Sequence, residues 1–247
     1  INKYELDVFK KASLCRNFEL EVCNNLENNN IKFPVYLSAG QEYISASIAV
    51  IINNLNVEPL IFAQHRCHSV YLSFGGNIVS LIDELLGKKT GCTYGMGGSA
   101  SIHSLKINMY GHDGHMGTQV PIAVGACFSS KKPTVVFIGD SAAEEDYVLA
   151  ALGWASTKNL PIVFIVEDNN LSILTKKKVR RNWNIHDVAK SFKMKAFEIE
   201  DDSNQILNYQ SFFFKKPLLL NIKTNRIFWH AGAGQDPGKK FDRYSDK

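Results

Sequence analysis

A chain of 247 residues, 45% apolar and 21% charged, has the material for one large domain with a substantial core. Its 28 Lys and Arg against 24 Asp and Glu leave a scattered charge of +4, which argues against a nucleic-acid partner. Five spread cysteines (Cys15, Cys23, Cys67, Cys92, Cys127) form no CxxC pair, so reduced thiols in a cytoplasmic protein are expected, without zinc.

In chain order, residues 4–27 set Leu6, Phe9, Leu14, Phe18 and Val22 at helical spacing among charges, which predicts an amphipathic helix. "AGQEYISASIAVIINNL" predicts a second, more buried helix, completing a helical N-terminal segment over about 1–55. Its apolar stretch is far shorter than the ~20 residues of a membrane span, and no signal peptide or membrane association is expected. "PLIFA" (59–63) reads as a short buried strand that runs at once into polar "QHRCH". A helix pattern in "IVSLIDELLG" stops at Gly87. Residues 91–117, "GCTYGMGGSASIHSLKINMYGHDGHMG", are rich in Gly, Ser and His and lack a period; so long a loop in a compact domain is usually functional. A small-residue helix, "TQVPIAVGACFSS", precedes the strand "VVFIG", a crossover helix and the strand "LPIVFIVED". The last apolar run, "PLLLNIKT" (217–224), ends in "NRIFWHAGAGQD".

Four apolar runs separated by helical segments predict an α/β fold, a doubly wound and mainly parallel sheet with helices on both faces. Residues 1–247 are expected to form a single domain, with the helical N-terminal segment packed on the sheet. In such sheets ligands bind beyond the carboxyl ends of the strands. The polar clusters "QHR", "GDS", "EDNN" and "TNRIFWH" all sit at those ends and are expected to share one crevice.

In "VVFIGDSAAEED", Gly139 lets the chain turn off the strand, Asp140 offers a hard carboxylate, and Ser141-Ala142-Ala143 opens a helix. The N–H groups of such a helix end suit a phosphate. A carboxylate beside a phosphate site suits Mg²⁺, and Asn169, ending the next strand, adds an amide oxygen. Alone, Asp140 could equally cap its own helix; the amide at the next strand end favours the metal.

"GDS…EDNN" is similar to the thiamine diphosphate signature, GDG followed further along by NN. In order around it stand "CRNFELEV", "AGQE", "AQHRCH", "ELLGKKTGCTYGMGGSASIH", "GHDGHMGTQVPIAVG", "LPIVFIVEDNN" and "NRIFWHAGAGQDPG". The series resembles the alpha subunit of the first component of 2-oxo acid dehydrogenase complexes, here as a short variant. The resemblance implies the diphosphate-binding domain of a thiamine diphosphate-binding fold, with thiamine diphosphate and Mg²⁺ as cofactors. It implies Asp140, Asn169 and the Leu171 carbonyl as metal ligands, and Ser141 and Ala142 as N–H donors to the diphosphate. Arg66 matches an arginine on the diphosphate, and Arg180, in the basic loop "TKKKVRR", is the choice for a second. Gly114 and Met116 match backbone positions that hold the aminopyrimidine. His230 matches a histidine near the diphosphate and the reacting carbon.

Several positions depart from the family. His65 stands where a tyrosine is usual, Tyr36 where a pocket histidine is usual, and Ser141 replaces a glycine. With His230, Tyr36 and His65 are the catalytic candidates. For His68, His103 and His112, packing or loop hydrogen bonding stands beside a catalytic role, and His186 falls in a surface helical context. The resemblance further implies a beta subunit that carries the pyrimidine domain and an activating glutamate, in an α2β2 assembly. The expected reaction decarboxylates a 2-oxo acid and passes the acyl or hydroxyalkyl unit to a lipoyl group or a carbonyl compound. A split transketolase-like ketol transferase and a non-catalytic partner of a beta subunit stand as alternatives.

Overall fold

A computed structural model describes residues 2–235 and 242–244. Asn2 starts the first helix, α1 (Lys3–Glu27), with a capping box: its side-chain oxygen accepts the Glu5 amide while the Glu5 carboxylate accepts the Asn2 amide, both at 2.9 Å. The predicted stripe holds at Phe18 and Val22, which are buried, but not at Leu6, Phe9 and Leu14, which are 41–47% exposed. The buried face carries Val8, Ala12, Cys15, Phe18 and Val22, and with them Arg16 and Glu19. Small Ala12 and Cys15 let the following helices approach; buried Arg16 pairs with Glu42, and buried Glu19 supports the site described below.

The chain continues through α2 (Glu42–Asn54), β1 (Leu60–Phe62), α3 (His68–Ser73), α4 (Ile78–Leu85), β2 (Met109–Tyr110), α5 (Gln119–Ser130) and β3 (Thr134–Gly139). Then follow α6 (Asp146–Thr157), β4 (Ile162–Asp168), the short pair β5 (Leu171–Ser172) and β6 (Thr175–Lys176), and α7 (Lys177–Arg180). The rest is α8 (Ile185–Ser191), β7 (Lys195–Glu200), α9 (Ser203–Leu207) and β8 (Leu218–Lys223). Six strands form one parallel sheet in the order β2-β1-β3-β4-β8-β7. The four expected strands are its interior members, and β2 and β7 are its edges.

Successive side chains of a strand point to opposite faces. Val135 and Phe137 of β3, Val163 and Ile165 of β4, and Leu218, Leu220 and Ile222 of β8 join the core formed with α1 and α2. Val136 and Ile138, Phe164 and Val166, and Leu219 enter a second core with α5, α6 and α8. Both faces are covered, so these strands read as unbroken apolar runs. No helix among the described residues is long and apolar enough to cross a membrane.

The Gly-rich loop after α4 is organised by one residue. The buried Glu84 carboxylate accepts the backbone N–H groups of Thr93 (2.7 Å), Gly95 (2.9 Å), Gly97 (2.8 Å) and Gly98 (3.0 Å). A Cβ on Gly97 would stand 2.2 Å from the Ser101 carbonyl oxygen, so only glycine lets the loop close on itself. Glu84→Ala is expected to lower the unfolding free energy by about 3 kcal/mol or more in urea titrations, because several buried donors lose their acceptor together.

Candidate functional site

The sheet reverses its direction of growth at β1, which pairs with β2 on one side and β3 on the other. Beyond the carboxyl ends of these strands lies a cleft of about 330 Å³. Tyr36, His65, Arg66, Gly114, Met116, Asp140, Ser141, Ala142, Asn169, Leu171 and His230 all line it. Arg180 stands outside this lining, its guanidinium reaching the Asp140 carboxylate at 2.5 Å and Glu144 at 2.8 Å.

Asp140 leaves β3 at 2% exposure. Burial, with the neighbouring Asp168 charge, pushes its carboxyl up to about 6, against the opposing pull of Arg180. The turn after it differs from the expected helix start. Ala142–Glu144 form a single 3₁₀ turn, and α6 begins only at Asp146. The Ser141 hydroxyl donates to the Ser172 hydroxyl at 3.0 Å and ties this turn to the β5–β6 hairpin.

Just past the end of the adjacent β4, Asn169 has its amide orientation set from two sides. Its Nδ2 donates to Gln41 Oε1 at 2.9 Å, and its Oδ1 accepts the Leu171 amide at 3.1 Å. Asn170 then takes a left-handed conformation (φ 64°) that turns the chain into the hairpin. Asp168 is neutralised nearby by the Lys177 ammonium, and it accepts the Asn221 amide at 3.0 Å. The Gln41 loop depends on Gly40 (φ 97°), where a Cβ would meet the Asn225 carbonyl oxygen at 2.2 Å. Gly40→Ala is expected to cost about 2 kcal/mol or more of stability, read by thermal melting, through both clash and unfavourable φ.

Arg66, 3% exposed, donates to the Leu37 carbonyl at 2.7 Å and the His230 carbonyl at 3.2 Å, and so joins the loops that carry Tyr36 and His230. The Tyr147 hydroxyl holds the Met116 carbonyl, and Gly114 has φ 108°. A buried chain fixes Tyr36 from behind. Glu19 accepts from Ser38 and meets His68 Nδ1 at 3.0 Å; His68 Nε2 lies 2.9 Å from Ser99 Oγ, which accepts the Tyr36 amide at 2.8 Å. His68 is therefore a supporting residue. His103 Nδ1 accepts the Gly111 amide at 3.2 Å, a loop-holding role. His186 is half-buried between Asp187 and Glu198.

Sequence reasoning missed Gln41, Gln64, Gln119, Glu167 and Arg226. Gln64, Gln119 and Arg226 also line the cleft. Gln64 donates to the buried Glu167 carboxylate, which burial pushes up to about 7. Arg226 donates to the Ile173 carbonyl at 2.8 Å. Its position just past an apolar run was the available signal; Gln41 lay at the start of a helix pattern and carried none.

The family model described as dehydrogenase E1 component matches residues 10–242. The chain is 31% identical over 251 residues to the pyruvate dehydrogenase E1 component subunit alpha of Rickettsia conorii, covering 94% of this chain and 73% of that protein. It is 26% identical over 248 residues to the mitochondrial pyruvate dehydrogenase E1 component subunit alpha-1 of Arabidopsis thaliana, covering 96% and 62% respectively. Among solved structures, transketolase from Campylobacter jejuni is similar with a TM-score of 0.68 at 17% identity, over 91% of this chain and 38% of that one. Transketolase from Leishmania mexicana gives 0.63 at 16%, over 88% and 36%. The chain thus spans well under half of those enzymes, and at such identity the likeness establishes the shared fold. With the family match running over nearly its whole length, the chain belongs to the dehydrogenase E1 component family.

Proposed function

We propose that this chain is the alpha subunit of a thiamine diphosphate- and Mg²⁺-dependent enzyme that decarboxylates a 2-oxo acid. The carrying observation is that Asp140 and Asn169, each the residue just past one of the paired strands β3 and β4, meet at one cleft in a chain of this family. The donors are all oxygen: one carboxylate, one amide oxygen of fixed orientation and the Leu171 carbonyl. That set suits Mg²⁺, which takes few carboxylates and fills its shell with phosphate oxygens and water. The group fits the residues present, since the buried Asp140 carboxylate already draws a cationic partner in Arg180.

In this reading Arg66 and the N–H groups of Ser141 and Ala142 hold the diphosphate, and Arg180 adds positive charge behind Asp140. Backbone groups of Gly114 and Met116 orient the aminopyrimidine. When bound, the cofactor supplies the nucleophilic carbon and the electron sink for decarboxylation. His230, Tyr36 and His65 face the reacting end, where they orient the substrate and exchange protons with it. The site is completed by a beta subunit that brings the pyrimidine domain and the activating glutamate, in an α2β2 assembly in the cytoplasm. The acyl or hydroxyalkyl unit then passes to a lipoyl group or a carbonyl compound. Residues 1–247 act in this assembly as one diphosphate-binding domain.

Calorimetric titration of the chain in complex with its beta partner tests the reading. Thiamine diphosphate should bind with Mg²⁺ and much more weakly with chelator, and the loaded complex should release CO₂ from 2-oxo acids. Absence of cofactor binding overturns the proposal, and turnover of ketose phosphates in place of oxo acids overturns its substrate class.

A further inference from the structure

The β2–β1 side of the cleft carries a pair of histidines, one of which, His112, has no role in the proposed decarboxylation. His65 follows β1 and His112 follows β2, and these strands pair in register (Ile61 with Met109, Phe62 with Tyr110). Their rings lie 5.6 Å apart, and the rings of Tyr36 and His230 stand 4.8 and 5.2 Å from His65. All four side chains line the cleft. His65 Nε2 and His112 Nδ1 are buried, and neither has a hydrogen-bond partner among the described residues. A buried polar atom left unpaired is costly, and a binding site is where a ligand can supply the missing bond.

The protonation state narrows the ligand. Burial lowers the pKa of both rings, and the nearby Arg66, His230, His112 and Arg226 lower that of His65 further. Both imidazoles are therefore neutral, each with one N–H and one lone pair. A hydroxyl, at once donor and acceptor, satisfies such nitrogens in either tautomer; a methyl group in its place leaves both unpaired. The rings also form a row, His230 beside His65 and His65 beside His112. His65, which borders the reacting end beside His230, also pairs with His112, and the row thereby leads from the reacting carbon towards the substrate chain beyond the keto group.

We propose that His65 and His112 form a polar subsite that hydrogen-bonds an oxygen function on the substrate side chain, so that the enzyme prefers an oxygenated 2-oxo acid to its aliphatic isostere. This rests on the proposed decarboxylation of a 2-oxo acid. The probes are 3-hydroxypyruvate and 2-oxobutanoate, which differ by OH against CH₃, assayed with the complete alpha–beta complex loaded with thiamine diphosphate and Mg²⁺.

The expected kcat/KM ratio favours 3-hydroxypyruvate by at least about tenfold, since a site built to pair a hydroxyl discriminates against the analogue lacking it. His112→Phe, which keeps ring area and removes the nitrogen, should collapse the ratio towards one. His112→Gln, which keeps a donor and an acceptor, should retain most of it. A wild-type ratio near one overturns the proposal, as does a ratio unchanged in His112→Phe. An equal loss for both acids in His112→Phe overturns it too, because the ring would then serve packing or groups common to every 2-oxo acid. If neither acid turns over in a complex that binds the cofactor, the decarboxylase reading itself fails and takes this inference with it.

Discussion

Replacing Asp140 by alanine is expected to abolish Mg²⁺-dependent binding of thiamine diphosphate, lowering affinity by at least about a hundredfold in calorimetry. Asp140 is the one carboxylate among the three proposed metal ligands, and the cation's attraction to the site rests mainly on it. Asp140→Asn should fail almost as badly, although its shape is preserved, because an amide carries no charge. Neither variant is expected to unfold. Arg180 keeps Glu144 at 2.8 Å once Asp140 is gone, so no buried guanidinium is stranded. Circular dichroism and gel filtration with the beta partner establish that the variant is folded and assembled. Wild-type cofactor affinity in a folded Asp140→Ala complex would falsify the metal assignment.

The interior strands were legible because both faces of the sheet are covered. Val135 to Ile138 and Ile162 to Val166 are apolar without interruption, which in short runs between helical segments leaves few alternatives to a central parallel strand. The edges were not legible. Met109–Tyr110 contributes two residues, and Lys195–Glu200 mixes three charged with three apolar side chains in no strict alternation. In α1 the larger side chains Leu6, Phe9 and Leu14 suggested the wrong face, since small Ala12 and Cys15 mark the true contact. Side-chain volume misled there, because close helix packing selects small residues.

Convergence of the strand-end clusters was legible for the same topological reason: parallel strands carry all their carboxyl ends to one edge. What holds those clusters in place was not. Gln41 sets the Asn169 amide across 128 positions of sequence, and Glu19 reaches Tyr36 through His68 and Ser99. These are polar residues within helical or loop patterns, and nothing local distinguishes them from solvent-facing ones. Arg180 is expected as a second cation for the diphosphate; its pairing with Asp140 was not legible. The Asp-Pro-Gly end of the last resembling segment lies outside the described residues.

Between pH 5 and pH 8 the isolated chain should lose stability, and Asp201→Asn should remove a large share of that loss. Asp201 follows β7, accepts the Thr224 hydroxyl at 2.7 Å and lies 3.1 Å from Arg243. Burial is the largest influence and, with Glu42 and Asp202 nearby, raises its carboxyl to about 7 from an ordinary 3.8. Below pH ~4 folded and unfolded chains both carry the proton, and the stability contribution is complete. Above that the unfolded chain releases its proton first while the folded chain holds on, so stability falls as pH rises and levels off past about 7. At about 1.4 kcal/mol per unit, the full loss approaches ~4 kcal/mol. Asparagine does not ionise, yet it can still accept from Thr224, so the variant keeps the local bond and loses the titration. Urea denaturation at pH 5, 6, 7 and 8 should show the wild-type unfolding free energy dropping more steeply than that of Asp201→Asn, with the curves converging towards pH 8 or crossing. Parallel curves would mean that Asp201 stays ionised throughout and that Arg243, 3.1 Å away, dominates its environment.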